Sequence, residues 1–376
     1  MKAQPFSAYS AAELGTVLDR VQTEGFTTTL ALVFTSTTLD VGEVQAEFVK
    51  REIRICGCSS AGEIVSGSLE SDAITGLLIE LDTSAFTVWT GLAGSIEAQA
   101  SELGREAVRR YEDPQILFLT GGLLVDGEDV ITGMQRGAGR DLCAFGGMAA
   151  DDFRMEGTYC FSESDVLDPG IVAIIFDGAE VRVRGNAISG WQPIGVENEI
   201  THAEGNVLHE INGQPALEFF NRFFGEVGNQ EFSVEQASVV TSQYPLQIMR
   251  PEGNLLRAPA MVHPNGTSIV LAGGVRTGDR FRFSIAPGFE VIEETVSFFK
   301  EDARQVATAP AAVVMISCKG RHAAFGPMLE DEIEQIDAVY GAPMAGYLSY
   351  GEIGAIDERG TALHNDTCCV VSLHTA

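Results

Sequence analysis

A serine followed three residues later by a glutamate occurs twice within a glycine-rich phrase of this chain, at Ser60–Glu63 and at Ser349–Glu352. Each pair lies in a similar glycine-rich phrase, GCSSAGEI at residues 57–64 and GYLSYGEI at residues 346–353. Glycines let a small ligand approach the backbone, whose N–H groups bind anions. The hydroxyl and the carboxyl would bind the polar end of such a ligand. The duplication predicts a site built twice, or one pocket lined by both loops.

In the competing interpretation the repeated phrase has only a structural role. Glycine-rich turns are common connectors, and the glutamate can accept local backbone hydrogen bonds. A weaker middle copy, FGGMAADD at residues 145–152, carries its acid at Asp151 and Asp152. A polar turn, His364-Asn365-Asp366, precedes the last predicted strand and either completes the pocket or caps backbone groups. The predicted ligand-binding residues are Ser59, Ser60, Gly62, Glu63, Gly146, Gly147, Asp151, Ser349, Gly351, Glu352, His364 and Asn365.

Motifs of known enzyme classes are mostly absent. The phrase around Ser349 misses the GxSxG nucleophile elbow by one residue, and neither a GxxxxGK[ST] nor an HExxH motif is present. A serine-dependent hydrolase or transferase that uses Ser349 or Ser59 remains an alternative, and it requires a base within hydrogen-bond reach of the serine. The sequence favours a non-catalytic protein.

Metal and cofactor signals are weak. Cys56 and Cys58 lack the two-residue spacer and the second ligand pair of a zinc site. His364 and His322 are candidate axial ligands for haem b, although no CxxCH attachment motif occurs. An arginine-rich segment between residues 250 and 282 would either meet ligand carboxylates or offset the acidic surface.

Charge and composition restrict the partners. The chain has 376 residues, with 24 basic and 53 acidic side chains and a formal net charge of −29, which disfavours nucleic acids and anionic membranes. No apolar run approaches the roughly 18 residues that span a bilayer. No signal peptide is visible at the amino terminus, so we expect a cytoplasmic protein with buried, reduced cysteines.

The elements that position these loops repeat along the chain. Each copy reads as a strand, a helix, a second strand, the glycine-rich loop and a last strand. Ser10, Asp40 and Asp126 are the predicted helix caps. The pattern predicts an α/β fold in which repeated β-α-β-β units form mixed sheets flanked by helices. The first strands of the copies are predicted at residues 27–36, 115–120 and 311–317.

Between the second and third copies the pattern changes. A connector opens with GWQPIG at residues 190–195 and ends in a predicted helix at 215–226. A strand-rich insert follows at about 235–290. These features predict two packed segments, residues 28–213 and 214–360.

Taken in order, these phrases resemble the FIST (F-box and intracellular signal transduction) family. The matching phrases are GCSSAGEI, FGGMAADD, GWQPIG, EINGQPAL (210–217), the CKGR…FG stretch (318–326), GYLSYGEIG and LHNDT (363–367). They extend over almost the whole chain. The resemblance assigns its amino-terminal part to about 28–213 and its carboxy-terminal part to about 214–360.

The resemblance implies a sensory module that binds a small molecule, such as an amino acid, and signals to a separate protein. Stand-alone members of the family include haem proteins that sense nitric oxide and regulate histidine kinases or cyclic-di-GMP enzymes. We therefore expect a cytoplasmic sensor, with a haem-dependent nitric-oxide sensor and a serine hydrolase as alternatives. The expected partners are the ligand, a histidine kinase or other signalling protein and, for assembly, a second copy in a homodimer.

Overall fold

The computed structural model describes residues 1–224, 244–250, 253–286, 288, 290–306, 308–355 and 361–376. The ends of the helix predicted at 215–226 and of the segment predicted at 214–360, and part of the predicted insert, lie outside these residues. The helices of the described residues are α1 Ala11–Thr23, α2 Val41–Val49, α3 Ile96–Arg110, α4 Gly127–Ala138, α5 Ala216–Phe224, α6 Glu290–Arg304, α7 Lys319–Phe325 and α8 Met328–Tyr340.

The strands of the described residues are β1 Lys2–Ala8, β2 Leu30–Ser36, β3 Arg54–Ser60, β4 Glu63–Val65, β5 Ser68–Glu70, β6 Ile74–Glu80, β7 Phe86–Thr90, β8 Pro114–Thr120, β9 Cys143–Met148, β10 Cys160–Phe161, β11 Val166–Leu167, β12 Ile171–Asp177, β13 Val181–Ile188, β14 Gln192–Glu204, β15 Val207–Ile211, β16 Gln214–Pro215, β17 Leu246–Arg250, β18 Gly253–Arg257, β19 Pro259–Val262, β20 Ile269–Leu271, β21 Arg280–Ile285, β22 Ala312–Cys318, β23 Met344–Ser349, β24 Gly351–Ala355, β25 Thr361–His364 and β26 Cys368–Thr375.

The predicted helix caps are present. The Ser10 side chain accepts a hydrogen bond from the Glu13 N–H, and Asp40 and Asp126 cap α2 and α4 in the same manner. These caps satisfy backbone donors that a helix leaves unpaired in its first turn. Each cap therefore sets where its helix begins, and with it the path from the preceding strand.

Three copies of one unit form most of the sheet structure. In each copy the first strand runs parallel to the second strand and antiparallel to the last: β2 with β3 and β6, β8 with β9 and β12, and β22 with β23 and β26. A helical crossover joins each parallel pair, as parallel strands require. The predicted α/β fold of mixed sheets with flanking helices is confirmed.

The copies exchange strands in a cycle. After its glycine-rich loop, the first copy contributes β4 to β23 of the third copy. The third copy contributes β24 to β9 of the second, and the second contributes β10 to β3 of the first. Each loop therefore leads from its own copy into a neighbouring one, so the loops meet near one point.

Two sheets pack face to face between layers of helices. The six-stranded sheet has the order β1-β6-β2-β3-β10-β11, and the path of the larger sheet is β5-β4-β23-β22-β26-β13-β24-β9-β8-β12-β7, with β25 beside β24. Phe34 and Leu77 of the first sheet share a core with Leu117 and Val314 of the second. Residues that alternate with these along the strands contact the helices on the outer faces. The larger sheet contains strands from both predicted segments, 28–213 and 214–360.

The third sheet, which we call the insert sheet, has the order β18-β17-β21-β14-β15-β20-β19, with β16 beside β15. It begins earlier than the sequence indicated, because the predicted connector contains β14 and β15. Most side chains of β14 are exposed or half-buried, so this strand lacks the apolar alternation that would reveal it. Two arginines of the insert sheet, Arg250 and Arg257, form ion pairs with Glu128 of α4.

No helix in the described part of the chain is long and apolar enough to cross a membrane. The cysteines carry free thiols, and all are buried except the partly exposed Cys143.

Candidate functional site

The repeated serine–glutamate pair closes each copy in which it occurs. In the first copy the Ser60 hydroxyl contacts Glu63 Oε1, and Glu63 Oε2 accepts a 3.2 Å hydrogen bond from the Ala73 N–H, directly before β6. Both side chains are buried. Burial raises the pKa of Glu63 to about 7, while the bonds from Ser60 and Ala73 act in the opposite direction.

The third copy has the same arrangement. The Ser349 hydroxyl contacts Glu352 Oε1, and Glu352 Oε2 accepts from the Thr367 hydroxyl at 2.7 Å and from the Thr367 N–H at 3.4 Å. Thr367 directly precedes β26, as Ala73 precedes β6. Burial raises the pKa of Glu352 to about 8. In both copies the glutamate joins the end of the second strand to the start of the last strand.

The second copy uses Asp151 differently. Its Oδ2 atom accepts from the N–H groups of Glu156 at 2.8 Å and Gly157 at 3.1 Å, which closes a local turn. Its Oδ1 atom accepts a 2.5 Å bond from the hydroxyl of Tyr350 in the loop of the third copy. Asp151 therefore joins two copies.

Backbone hydrogen bonds hold the three glycine-rich loops together. Each loop bonds to both of the others, as the cyclic exchange of strands requires. The bonds run from Ala61 N to Leu348 O at 3.0 Å, from Ala150 N to Ser59 O at 3.0 Å and from Tyr350 N to Met148 O at 3.4 Å.

A cavity of about 450 Å³ lies beside the loops of the second and third copies. Its walls are largely apolar and come from separate parts of the fold: residues 122–127 after β8, residues 258–261 and 270–273 of the insert sheet, and Phe153 and Met155. Phe153 and Met155 have φ values of 59° and 55°. This left-handed conformation is uncommon for side chains of their size and is found often at functional sites.

The polar side of the cavity includes Ser349, Asn365 and two carboxyls, Asp126 and Asp366. Asp126 caps α4 through Oδ1. Asp366 is fully buried, and its Oδ2 atom has no hydrogen-bond partner among the described residues. Burial raises the pKa of Asp366 to about 7, and Arg321 acts in the opposite direction. No lysine, arginine or histidine is among the described residues that line this cavity.

The structure brings together only some of the predicted site residues. Ser349 and Asn365 line the cavity, whereas Glu352 and His364 are buried behind it. Members of the first-copy loop bond to neighbouring loops and strands, without lining the cavity: Ser59, Ser60, Gly62 and Glu63. Three predicted glycines lie in the β9–β24 strand pair: Gly146, Gly147 and Gly351.

Sequence reasoning left Asp366 out of the site, although it stood in the polar turn next to Asn365. It also left out the apolar residues 123–125 and the insert walls, because apolar side chains in loops carry no sign that they face a cavity. The sequence does contain one indication for Asp366: it is an acidic residue in a short polar turn just before a strand of apolar residues.

The two histidines proposed as haem ligands do not reach the cavity. His364 Nε2 lies 3.0 Å from the Gly354 carbonyl oxygen, and His322 Nδ1 lies 3.2 Å from Lys319 Nζ. Cys318 does line the cavity, but burial raises the pKa of its thiol well above the ordinary value and disfavours a thiolate ligand. Neither of the two proposed histidines is therefore placed to hold a haem iron in this cavity.

Comparisons with known proteins agree with the resemblance seen in the sequence. The FIST N domain family model matches residues 29–214, and the FIST C domain model matches residues 216–355. Uncharacterized protein Rv0628c of Mycobacterium tuberculosis (strain ATCC 25618 / H37Rv) is 26% identical over 228 residues, 59% of this chain and 58% of the relative. Uncharacterized protein Mb0898c of Mycobacterium bovis is 24% identical over 229 residues, with the same coverage of 59% and 58%. The aligned region thus spans little more than half of these relatives.

Proposed function

The chain belongs to the FIST family, and from this membership we propose that it is a non-catalytic sensor that signals to a separate protein. FIST domains are signal-transduction sensor domains that bind small ligands. We place the ligand in the cavity between the second copy, the third copy and the insert sheet. The proposed downstream partner is a histidine kinase or another signalling protein in the cytoplasm, with homodimerisation as a further proposed association.

The observation that carries this proposal is the Asp366 carboxyl, which is buried in an apolar cavity with one oxygen unpaired among the described residues. An unpaired buried polar group is costly, and a ligand that donates a hydrogen bond to it recovers that cost. Asp126 adds a second carboxyl. A cationic donor fits two carboxyls better than an anion does.

We therefore propose a small ligand with an apolar body and an amine head group. The walls formed by residues 122–127 and 258–261 would bury the body, and the ammonium group would donate to Asp366. Because the walls belong to three parts of the fold, a bound ligand favours the packing in which those parts enclose it. A sensor needs this difference in affinity between two packings.

Calorimetry with three probes that share a six-carbon chain and differ in their head group tests the proposal: hexylamine, 1-hexanol and hexanoate. We expect hexylamine to bind most tightly, and Asp366→Asn to weaken it at least about tenfold, as loss of a charged hydrogen bond does. Asparagine tolerates the positive φ of 54° at this position, so the variant should fold. Asp141→Asn, which removes an exposed carboxyl outside the cavity, is the matched control. Equal hexylamine affinity in wild type and Asp366→Asn, or no binding, would refute the amine site.

One observation bears on the hydrolase alternative, since Ser349 faces the cavity and contacts Glu352. A pKa of about 8 keeps the Glu352 carboxyl largely protonated at neutral pH, which leaves little base to activate the serine. The same pair occurs at Ser60 and Glu63, which do not line this cavity. This duplication supports a structural role for the pair over a catalytic one.

A further inference from the structure

Two histidines and a glutamate converge at the β14–β15 hairpin of the insert sheet, away from the glycine-rich loops. His202 Nε2 lies 3.7 Å from Glu204 Oε1, and His209 Nε2 lies 4.0 Å from Glu204 Oε2. One ligand atom from each side chain lies within 4.8 Å of the others. The imidazole rings of the two histidines stack with centroids 4.7 Å apart.

The strand pairing explains why these side chains meet. Glu204 pairs with Val207 beside the turn, whereas His202 pairs with Glu210. A register shift between His202 and Ala203 leaves His209 opposite no single residue of β14. Irregularities of this kind change the direction of a side chain at a sheet surface. Here His209 lies against His202 and the carboxylate of Glu204.

Hydrogen bonds orient the His209 ring. Asn265 Oδ1 accepts from the N–H groups of Thr267 and Ser268, both at 3.0 Å, which fixes its amide and directs Nδ2 to Ser268 Oγ at 2.8 Å. His209 Nδ1 lies 2.9 Å from the same Ser268 oxygen. In the tautomer that donates Nδ1–H to Ser268, the Nε2 lone pair is free on the side of Glu204. A polar partner on the second ring nitrogen is typical of metal-binding histidines.

We propose that His202, Glu204 and His209 bind Zn²⁺ with an open fourth position. Two imidazoles and one carboxylate suit zinc, and three protein ligands leave a site for water or an added ligand. Ligands about 2.0–2.1 Å from a tetrahedral zinc ion lie roughly 3.3 Å apart. The ligand atoms lie within 4.8 Å of one another, so zinc binding needs each pair of atoms to approach by at most about 1.5 Å. The side chains can make these shifts, because His202 is 50% and Glu204 77% exposed.

The zinc site and the cavity share one hairpin. Asn206, in the turn between β14 and β15, lines the cavity, and its Nδ2 donates a 3.0 Å bond to Leu271 O of the neighbouring strand β20, which also lines the cavity. Zinc would join the two strands of the hairpin beside this turn and so stiffen one wall of the cavity. The zinc site is nevertheless independent of the amine proposal, because it uses none of the polar groups of the cavity.

Metal titration of the whole chain tests this inference. The protein is dialysed against a chelator and titrated with Zn²⁺ by calorimetry, and with Co²⁺ to record the visible bands of tetrahedral cobalt. We expect one equivalent to bind in the micromolar range or tighter. His202→Ala and His209→Ala should each weaken it by at least about tenfold, and affinity should fall at acidic pH, where protons compete for imidazole.

His263→Ala is the matched control, because His263 packs edge-on against His209 with centroids 6.4 Å apart but lies outside the ligand set. This variant should retain zinc affinity. Thermal unfolding in the absence of metal should change little in His202→Ala, because this side chain is 50% exposed. His209→Ala loses the hydrogen bond to Ser268 and should unfold at a somewhat lower temperature while remaining cooperative. Absence of binding at micromolar zinc, or binding that survives loss of either His202 or His209, would overturn the assignment.

Discussion

Ser349 and Glu352 contact each other across one tight turn, and both side chains are fully buried. Ser60 and Glu63 form the same contact in the first copy. In each copy the glutamate also accepts a hydrogen bond from the backbone just before the last strand. This shared geometry gives the repeated phrase a physical reason, because each bond closes a β-α-β-β unit. In the third copy Ser349 additionally lines the cavity.

Removing either serine hydroxyl should destabilise the protein to a similar extent. Ser60→Ala and Ser349→Ala each leave a buried carboxyl oxygen without its donor, at a cost of about 1–3 kcal/mol in the free energy of unfolding. Urea denaturation measures this change. Ser164→Ala, which removes an exposed hydroxyl, should cost less than about 0.5 kcal/mol. A Ser349→Ala protein of unchanged stability that has lost an esterase activity would instead support the hydrolase alternative.

The buried glutamates should make stability depend on pH. Burial raises their pKa values from 4.5 to about 7 for Glu63 and about 8 for Glu352. The folded state therefore retains protons that the unfolded chain releases. The free energy of unfolding should fall as pH rises above about 4.5, and this fall should end near pH 7 for Glu63 and pH 8 for Glu352, at about 1.4 kcal/mol per unit of pKa shift.

Glu352→Gln and Glu63→Gln test this dependence, because glutamine is neutral at every pH. Each variant should reduce the decline in stability between pH 5 and pH 8, measured as urea midpoints at several pH values. The decline produced by Glu352 should extend to higher pH than that produced by Glu63. Two variants with the wild-type pH profile would contradict the idea that these carboxyls are protonated in the folded state.

A glycine at one register position should be indispensable in each copy. Gly57, Gly146 and Gly346 each pair with a residue of the first strand, and a methyl group added to Gly346 would lie 1.8 Å from the Met315 carbonyl oxygen. Gly346→Ala should therefore cost about 3 kcal/mol or more, since backbone must move.

The control for this substitution is Gly157→Ala. An added methyl group at Gly157 would meet nothing closer than 3.8 Å, so the cost should stay below about 1 kcal/mol. Chemical denaturation and far-UV circular dichroism measure both variants. Equal stability of the two proteins would show that the β22–β23 pair tolerates a side chain at its centre.

The contact of the insert sheet with α4 should depend on Glu128. Arg257 is fully buried, contacts Glu128 Oε1, and donates to the carbonyl oxygens of Gly274 and Leu363, both at 3.0 Å. Glu128→Ala leaves this guanidinium without its carboxylate, at an expected cost of about 3–5 kcal/mol. Glu197→Ala breaks the exposed pair with Arg280 and should cost less than about 1 kcal/mol. Similar urea midpoints for both variants would contradict this assignment.

The sequence by itself determined the repeating units and their starting points. The spacing of apolar residues, the helix caps and the glycine-rich loops are all local properties of the sequence. For this reason Ser10, Asp40 and Asp126 could be assigned as helix caps before any contact was known. The order of the phrases was sufficient to recognise the family. It also predicted that the serine–glutamate phrases would occupy equivalent places, because each follows the second strand of its copy.

Only the tertiary structure decided which polar groups are satisfied and which face a cavity. Glu63 bonds to the backbone N–H of Ala73, a donor that every residue except proline carries and that leaves no trace in the sequence. Asp366 lines a cavity whose apolar walls include residues 122–127 and 258–261, which lie more than a hundred residues away along the chain. The packing of the insert sheet against the second and third copies brings those segments together. Hydrogen-bond satisfaction and cavity shape depend on such contacts between distant residues rather than on residue type.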